Sequence, residues 1–242
     1  MSGIDVKQVS FAYEKNKNIL TDISFSAKAG DSIGIIGANG VGKSTLLKLL
    51  VGLLLGFSGE IEVDGISVKK ENLTEVRAKL GYVFQDSDSQ LFMSTAYEDI
   101  AFAPRNYGFS EAEVKKRVEE AMRLTGTTYL RDKQIYKMSG GEKKLVSIAT
   151  ILSMMPEMIL MDEPTTALDP RNRRNLIHLL NSFDQIKIIA SHDLDFVLDT
   201  CKRTILMAEG RIICEGPTEE ILRNKELLEA HGLELPLSCF RA

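Results

Sequence analysis

The chain has 242 residues, 44% hydrophobic and 26% charged, with a formal net charge of −4. That composition gives a globular protein with a large core, in one domain or one domain with an inserted subdomain, and it lacks the basic excess that would make nucleic acid the main partner. No apolar run reaches the ~18 residues of a membrane span, and Met1-Ser2-Gly3-Ile4-Asp5 has no charged-then-apolar pattern, so neither a spanning segment nor a secretory signal is expected.

In chain order, Val6 to Phe11 reads as a strand ending in Phe11-Ala12-Tyr13, and Glu14 to Asn18 as a polar turn. Leu20, Ile23 and Phe25 mark a second strand that ends at Gly30-Asp31. The two make an antiparallel β-layer ahead of the core. On spacing alone Tyr13 is a strand-end aromatic packed on that core, with stacking on an adenine face as the alternative. Ile33-Gly34-Ile35-Ile36 then reads as a buried parallel strand, and Leu46 to Leu55 as a buried helix.

Between that strand and that helix lies Gly37-Ala38-Asn39-Gly40-Val41-Gly42-Lys43-Ser44-Thr45, which fits G-x-x-x-x-G-K-[ST], a phosphate-binding loop. Gly37, Gly40 and Gly42 let the backbone turn tightly and approach an anion. The N–H groups of the loop and of the first helical turn have no partner within the helix, so they point at phosphate oxygens. Lys43 adds a positive charge near the β- and γ-phosphates, and the Ser44 hydroxyl can bind Mg²⁺. By itself the loop indicates a nucleoside triphosphate and not its use.

Gly59 to Val63 and Gly65 to Val68 suggest a short hairpin. Leu73, Val76 and Leu80 recur at helical spacing, with Gly81 as C-cap. Tyr82-Val83-Phe84 is a short strand stopping at Gln85, followed by a polar turn from Asp86 to Ser89. Gln90 to Gly126 is mostly helical and broken by Pro104 and Gly108. Ser110-x-x-Glu113 opens a helix as a capping box, with Val114, Val118, Ala121 and Met122 on one face. Ser139 begins another helix, with Leu145, Ala149, Leu152 and Met155 on one face, ended by Pro156. Met158 to Met161 is an apolar strand ending in Asp162 and Glu163. A helix from about Arg171 to Asn181 follows, then a strand from Ile186 to Ala190 ending at Ser191-His192-Asp193, and a hairpin from Thr204 to Glu215 across Glu209-Gly210. The tail after Gly216-Pro217 is helical and then irregular. The expected fold is α/β, a mainly parallel sheet with helices on both faces. Residues 1–85 and 157–220 form its core, 86–156 an inserted helical subdomain and 221–242 a tail. Cys201, Cys214 and Cys239 are far apart, without C-x-x-C, and are expected to be free thiols in a reducing compartment.

Gln85, Asp162 with Glu163, and His192 all stand at the C-terminal ends of strands, the edge where ligands bind in open α/β sheets. Asp162 can hold Mg²⁺ through water, and Glu163 can orient or deprotonate an attacking water. His192 can bond the γ-phosphate, and Gln85 can reach Mg²⁺ or the water. A lone Gln or His at a strand end is more often structural; beside a phosphate loop the balance reverses. His178 and His231 have no such setting. Met138-Ser139-Gly140-Gly141-Glu142 places two glycines at a helix start after a serine, a second anion site that one molecule could close on the nucleotide of another. An ordinary Ser N-cap with a flexible turn is the alternative.

With these residues in place the chain resembles, nearly end to end, the ATPase subunits of ABC transporters. Ser139-Gly140-Gly141 matches the family's signature motif, Gln85 its Q-loop, Ala167-Leu168-Asp169 its D-loop and His192 its switch histidine. Tyr13 then falls where the family stacks adenine. The resemblance implies the ABC ATPase fold with a RecA-like core, and ATP and Mg²⁺ as cofactors. It also implies two subunits paired head to tail, with ATP between the loop of one and Ser139, Gly140, Gly141 and Glu142 of the other. Hydrolysis runs through Glu163, and a membrane partner docks near Gln85 on the cytoplasmic face of the membrane. Met138, Glu142, Leu145 and Thr166 depart from the commoner Leu, Gln, basic residue and Ser.

Phe84-Gln85-Asp86-x-Asp88-x-Gln90-Leu91-Phe92, Tyr97 to Pro104, and Gly232-Leu233-Glu234-Leu235-Pro236 are similar to the ATPases of cobalt/nickel and energy-coupling-factor vitamin importers. That branch implies an integral-membrane coupling subunit and a substrate-binding membrane component, with Leu91, Phe92, Ile100 and Phe102 forming a groove for a partner helix; packing within the helical subdomain is the other reading. The opposing function is a soluble ABC-type ATPase acting on nucleic acid or a ribosome. One phosphate loop, no long heptad run and a negative net charge argue against it.

Overall fold

The apolar run ahead of the glycine loop and the strands beside it are buried on both faces, which requires helices or a second sheet to cover them. The computed structural model describes residues 3–14 and 17–241. The chain gathers into two compact units: one is the chain up to Leu80, Glu157–Asp162 and the chain from Asp184 on, the other Gly81–Pro156 with Glu163–Phe183.

In the first unit β1 (Gly3–Glu14) and β2 (Lys17–Lys28) pair antiparallel, Ile4 opposite Ala27 and Val6 opposite Phe25. Both strands outrun their predicted lengths. The turn expected from Glu14 to Asn18 is bracketed by Glu14 opposite Lys17; its central residues Lys15 and Asn16 lie outside the described residues. The second sheet contains β3 (Ser32–Ile36). The helix after its loop, α1, spans Lys43–Leu50, starting three residues before the apolar run and stopping well short of Leu55. Its end is set by hydrogen bonds: Gly52 at φ 64° donates to Leu49 O (3.0 Å) and Leu53 donates to Lys48 O (2.9 Å). This is the paired closure of a Schellman cap, which needs a left-handed residue after the helix and overrides the hydrophobicity that continues to Leu55.

The predicted hairpin is β4 (Ser58–Val63) and β5 (Ile66–Ser67), so the first sheet runs β2-β1-β4-β5. Helix α2 (Leu73–Lys79) ends where β6 (Leu80–Val83) begins. Gly81 therefore lies inside a strand and caps nothing; Ile151 stands where a side chain on it would go. In the second unit, α3 (Ala96–Asn106) runs through Pro104 instead of breaking there. Proline lacks the N–H that would bond Ile100 O, and the Ser153 hydroxyl donates to that carbonyl at 3.0 Å instead. Ser153→Ala should leave Ile100 O unpaired in a buried place and cost about 1–3 kcal/mol; an unchanged denaturant midpoint would contradict it.

Helix α4 (Glu111–Thr125) buries Val114, Val118, Ala121 and Met122 as the spacing requires. Ser110 caps it by accepting from Glu113 N, but the Glu113 carboxylate accepts from Arg117 Nε at 2.8 Å. Helix α5 (Gly140–Leu152) ends before Met155, which the spacing placed on its buried face. Met155 is 70% exposed at φ 52°, because the chain leaves the helix at Ser153 ahead of Pro156. Leu145 packs beside Leu124, Ile148, Leu176 and Leu179, an apolar setting that accounts for its departure from a basic residue.

Strand β7 (Met158–Asp162), α6 (Pro170–Asn181) and β8 (Ile186–Ala190) follow at the expected places. An unpredicted helix, α7 (Leu194–Thr200), comes next and is capped by Asp193, whose carboxylate accepts from Phe196 N at 2.9 Å. The hairpin β9 (Arg203–Ala208) and β10 (Arg211–Pro217) closes the first unit's sheet, in the order β10-β9-β3-β8-β7 with only β10 antiparallel. The tail forms α8 (Thr218–Arg223) and α9 (Lys225–Ala230), then a last short turn at Leu237–Arg241. The cysteines are free thiols; Cys201 is buried, and its pKa is pushed up to about 11 by that burial.

Candidate nucleotide site

The loop leaves β3 and enters α1 through Gly42, the helix N-cap at φ 105°. Asn39 and Gly40 are exposed, Ala38 and Val41 partly so, and Gly37 and Lys43 are buried. Lys43 Nζ donates to Gly37 O (2.7 Å) and Ala38 O (3.1 Å), folding its charge back over the loop that precedes it. A buried ammonium needs such partners, and phosphate oxygens can replace them.

Strand β7 delivers Asp162 to the same place. Ser44 Oγ donates to Asp162 Oδ1 at 2.9 Å, joining the first turn of α1 to the end of β7. A hydroxyl and a carboxylate at one point are hard oxygen donors, the set Mg²⁺ takes when phosphates complete its shell. Among the described residues there is no cluster of three or more His, Cys, Asp or Glu, so a softer metal has no cage. These residues fit Mg²⁺.

Tyr13, at the end of β1, is not packed away. The residue is 57% exposed and its ring stands edge-on to Phe11, with centroids 5.0 Å apart. Its hydroxyl lies 3.2 Å from Thr45 Oγ1, so an open aromatic face is anchored to the phosphate loop itself. His192, exposed, follows β8 just ahead of α7. Tyr13, the loop, Asp162 and His192 therefore belong to the first unit.

Gln85, Glu163 and Ser139 to Glu142 belong to the second. Glu163, one peptide bond beyond Asp162, is 6% exposed with φ 48°. Few non-glycine residues adopt that backbone, and such strain persists where the surrounding structure enforces it. Ser139 caps α5 in a full capping box: its hydroxyl accepts from Glu142 N (3.3 Å) and its N–H donates to Glu142 Oε2 (2.8 Å). Ser139, Gly140, Gly141 and Glu142 line a cleft of about 530 Å³ with Tyr129 and Ala167. Met138 is buried, so the departure from Leu there is a swap of one apolar side chain for another.

Sequence reasoning missed what holds Gln85. Lys144 is fully buried and donates to Phe84 O (2.9 Å) and Gln85 O (2.7 Å). Gln90 accepts from Phe84 N (3.1 Å) and donates to Ser147 O (2.7 Å) and Thr150 Oγ1 (2.8 Å). Together they clamp the Gln85 turn to α5. The signal was a lysine inside an apolar helix face, which needs carbonyl partners nearby.

Residues 20–166 match the family model described as ABC transporter. A Geobacter sulfurreducens protein, named by assignment as an ABC transporter ATP-binding protein, is 46% identical over 97% of this chain and 94% of its own. The energy-coupling factor transporter ATP-binding protein EcfA of Methanoculleus marisnigri is 39% identical over 98% of this chain and 87% of its own. Among solved structures, CbiO1 from Clostridium perfringens, part of the ABC transporter complex CbiONQ, superposes with a TM-score of 0.82 at 36% identity, covering 94% of this chain and 93% of that one. An ATP-binding cassette solved as a dimer with ADP and Pi, in a post-hydrolysis state, has the same TM-score of 0.82 at 26% identity, over 89% of this chain and 98% of that one.

Proposed function

We infer, since the chain belongs to the ABC transporter family as one of its ATP-hydrolysing cassettes, that it powers import of cobalt or nickel ion or a vitamin through a membrane complex of the energy-coupling-factor type. The observation that carries the ATPase half is the Ser44–Asp162 contact at the phosphate loop. Its hydroxyl and carboxylate would hold Mg²⁺, which when bound neutralises charge on the phosphate oxygens. The N–H groups from Gly37 to Thr45 and the Lys43 ammonium hold the β- and γ-phosphates. Tyr13 carries the adenine, Glu163 takes the proton of the attacking water, His192 bonds the γ-phosphate, and Gln85 would reach Mg²⁺ or the water. A second ATPase chain, paired head to tail, closes Ser139 to Glu142 over the nucleotide. The cassette solved as a dimer with ADP and Pi supports the pairing of two such chains.

The import half rests on the CbiO1 and EcfA relatives and on one surface feature. Of the four residues expected to line a groove, Leu91 and Ile100 are buried, while Phe92 is 64% and Phe102 38% exposed, edge-to-face at 4.7 Å. Asp99 fixes Phe92 by accepting from Phe92 N (3.2 Å) and Met93 N (3.0 Å). An aromatic pair held out in this way fits a helix of an integral-membrane coupling subunit. Among the described residues no helix is long and apolar enough to cross a membrane. In this reading the chain sits on the cytoplasmic face of the membrane, against integral-membrane partners. Phe92→Asp should cut co-purification of the membrane subunit at least about tenfold and leave the chain's own melting temperature within about 2 °C. Recovery of the parent chain with ribosomes or nucleic acid, and no integral-membrane protein, would overturn the import reading.

A further inference from the structure

Glu142 puts a carboxylate in the first turn of α5, at the helix start to which the shared-site reading brings a γ-phosphate. An unscreened carboxylate there would oppose the nucleotide. It is not left unscreened. Lys133 Nζ donates to both Glu142 oxygens, each at 2.8 Å, and the Ser139 N–H holds one of the same oxygens back against the cap. Lys133 is placed by its backbone, which donates to Leu130 O (2.8 Å) and accepts from Ala96 N (3.2 Å). Neighbouring cations are engaged elsewhere, Lys143 with Asp88 and Arg131 with Glu119. The Lys133 ammonium, followed by the Ser139 N–H, holds the Glu142 carboxyl below the usual carboxylate range, so the carboxylate is charged and the lysine is what balances it.

We propose that Lys133 is a positioning residue for ATP turnover: it neutralises Glu142 and keeps it folded onto the Ser139 cap, so that the start of α5 can receive the triphosphate held by the opposing chain. This rests on the reading of Ser139 to Glu142 as the second half of a shared site. A side chain that merely packed the loop would not depend on the charge at 142. A charge partner does, and its effect fades with salt.

The test measures steady-state hydrolysis by the full chain with ATP and Mg²⁺, at low and at high ionic strength, in the four proteins of a double-mutant cycle, a charge-keeping control and Ser139→Arg. Lys133→Ala should raise the KM for ATP about five- to twentyfold at low salt, with kcat at saturation within about twofold, and the effect should shrink at high salt. Lys133→Arg should stay within about threefold of the parent KM. In the Glu142→Gln background, adding Lys133→Ala should change KM by less than about twofold. The same KM factor in both backgrounds, or no shift in either, would overturn the pairing; thermal melts of each variant identify a folding loss. Ser139→Arg separates the two levels. Unimpaired cooperative turnover in that variant refutes the shared site itself. Lost turnover there, with no coupling between positions 133 and 142, refutes only the role of Lys133.

Discussion

Glu163→Gln should bind ATP as the parent does, hydrolyse it about 10²- to 10⁴-fold more slowly, and persist as a dimer in the presence of ATP. The amide has nearly the volume of the carboxylate, so a side chain only 6% exposed is replaced without a cavity. What is lost is the capacity to take a proton. The backbone at this position, φ 48°, is strained in either variant and holds the side chain in the same direction. If dimer opening follows hydrolysis, blocking the proton transfer traps the closed form. Single-turnover hydrolysis and sedimentation with and without ATP measure both effects; a variant turning over at the parent rate removes Glu163 as the base.

Ser139→Arg should abolish cooperative turnover and leave nucleotide binding by the single chain intact. Ser139 is exposed, and its side chain makes the cap bond to Glu142 N, whose loss costs about 1 kcal/mol. That is too little to unfold the chain. The long side chain would instead fill part of the cleft of about 530 Å³ beside Gly140 and Gly141, where a phosphate would enter. Turnover measured against protein concentration should go from steeply rising to flat at the background rate, while fluorescent-nucleotide binding changes less than about twofold. Loss of binding as well would mean that the fold had failed.

Much of the fold was legible because its signals are local. Ile33 to Ile36, Met158 to Met161 and Ile186 to Ala190 are short apolar runs bounded by polar residues, and each is a fully buried strand. Two of the misses depended on groups distant in sequence. Pro104 continues its helix because Ser153 satisfies Ile100 O. Gly81 sits in a strand that Ile151 crowds. Helix α7 was overlooked although Asp193, three residues before Phe196, carries an N-cap signature. In the site, residue types could be named from the loop and the strand ends, and Tyr13 was moved from the core to the nucleotide only by resemblance. The structure shows Tyr13 exposed and in contact with Thr45, and so not packed in the core. Lys133 and Gln90 were invisible, since a charge partner or a carbonyl clamp is a relation between segments and leaves no spacing to read; Lys144 showed only as a lysine inside an apolar helix face, with no sign of which carbonyls it bonds.

The most direct measurement mixes two disabled chains. Lys43→Ala lacks the charge of the phosphate loop but keeps Ser139 to Glu142; Ser139→Arg lacks the second half-site but keeps the loop. Each alone should be inactive. Mixed in equal amounts they should recover about a quarter of the parent rate, because random pairing leaves one intact composite site in half of the dimers. A mixture as inactive as its parts would contradict a nucleotide site shared between two copies of this chain.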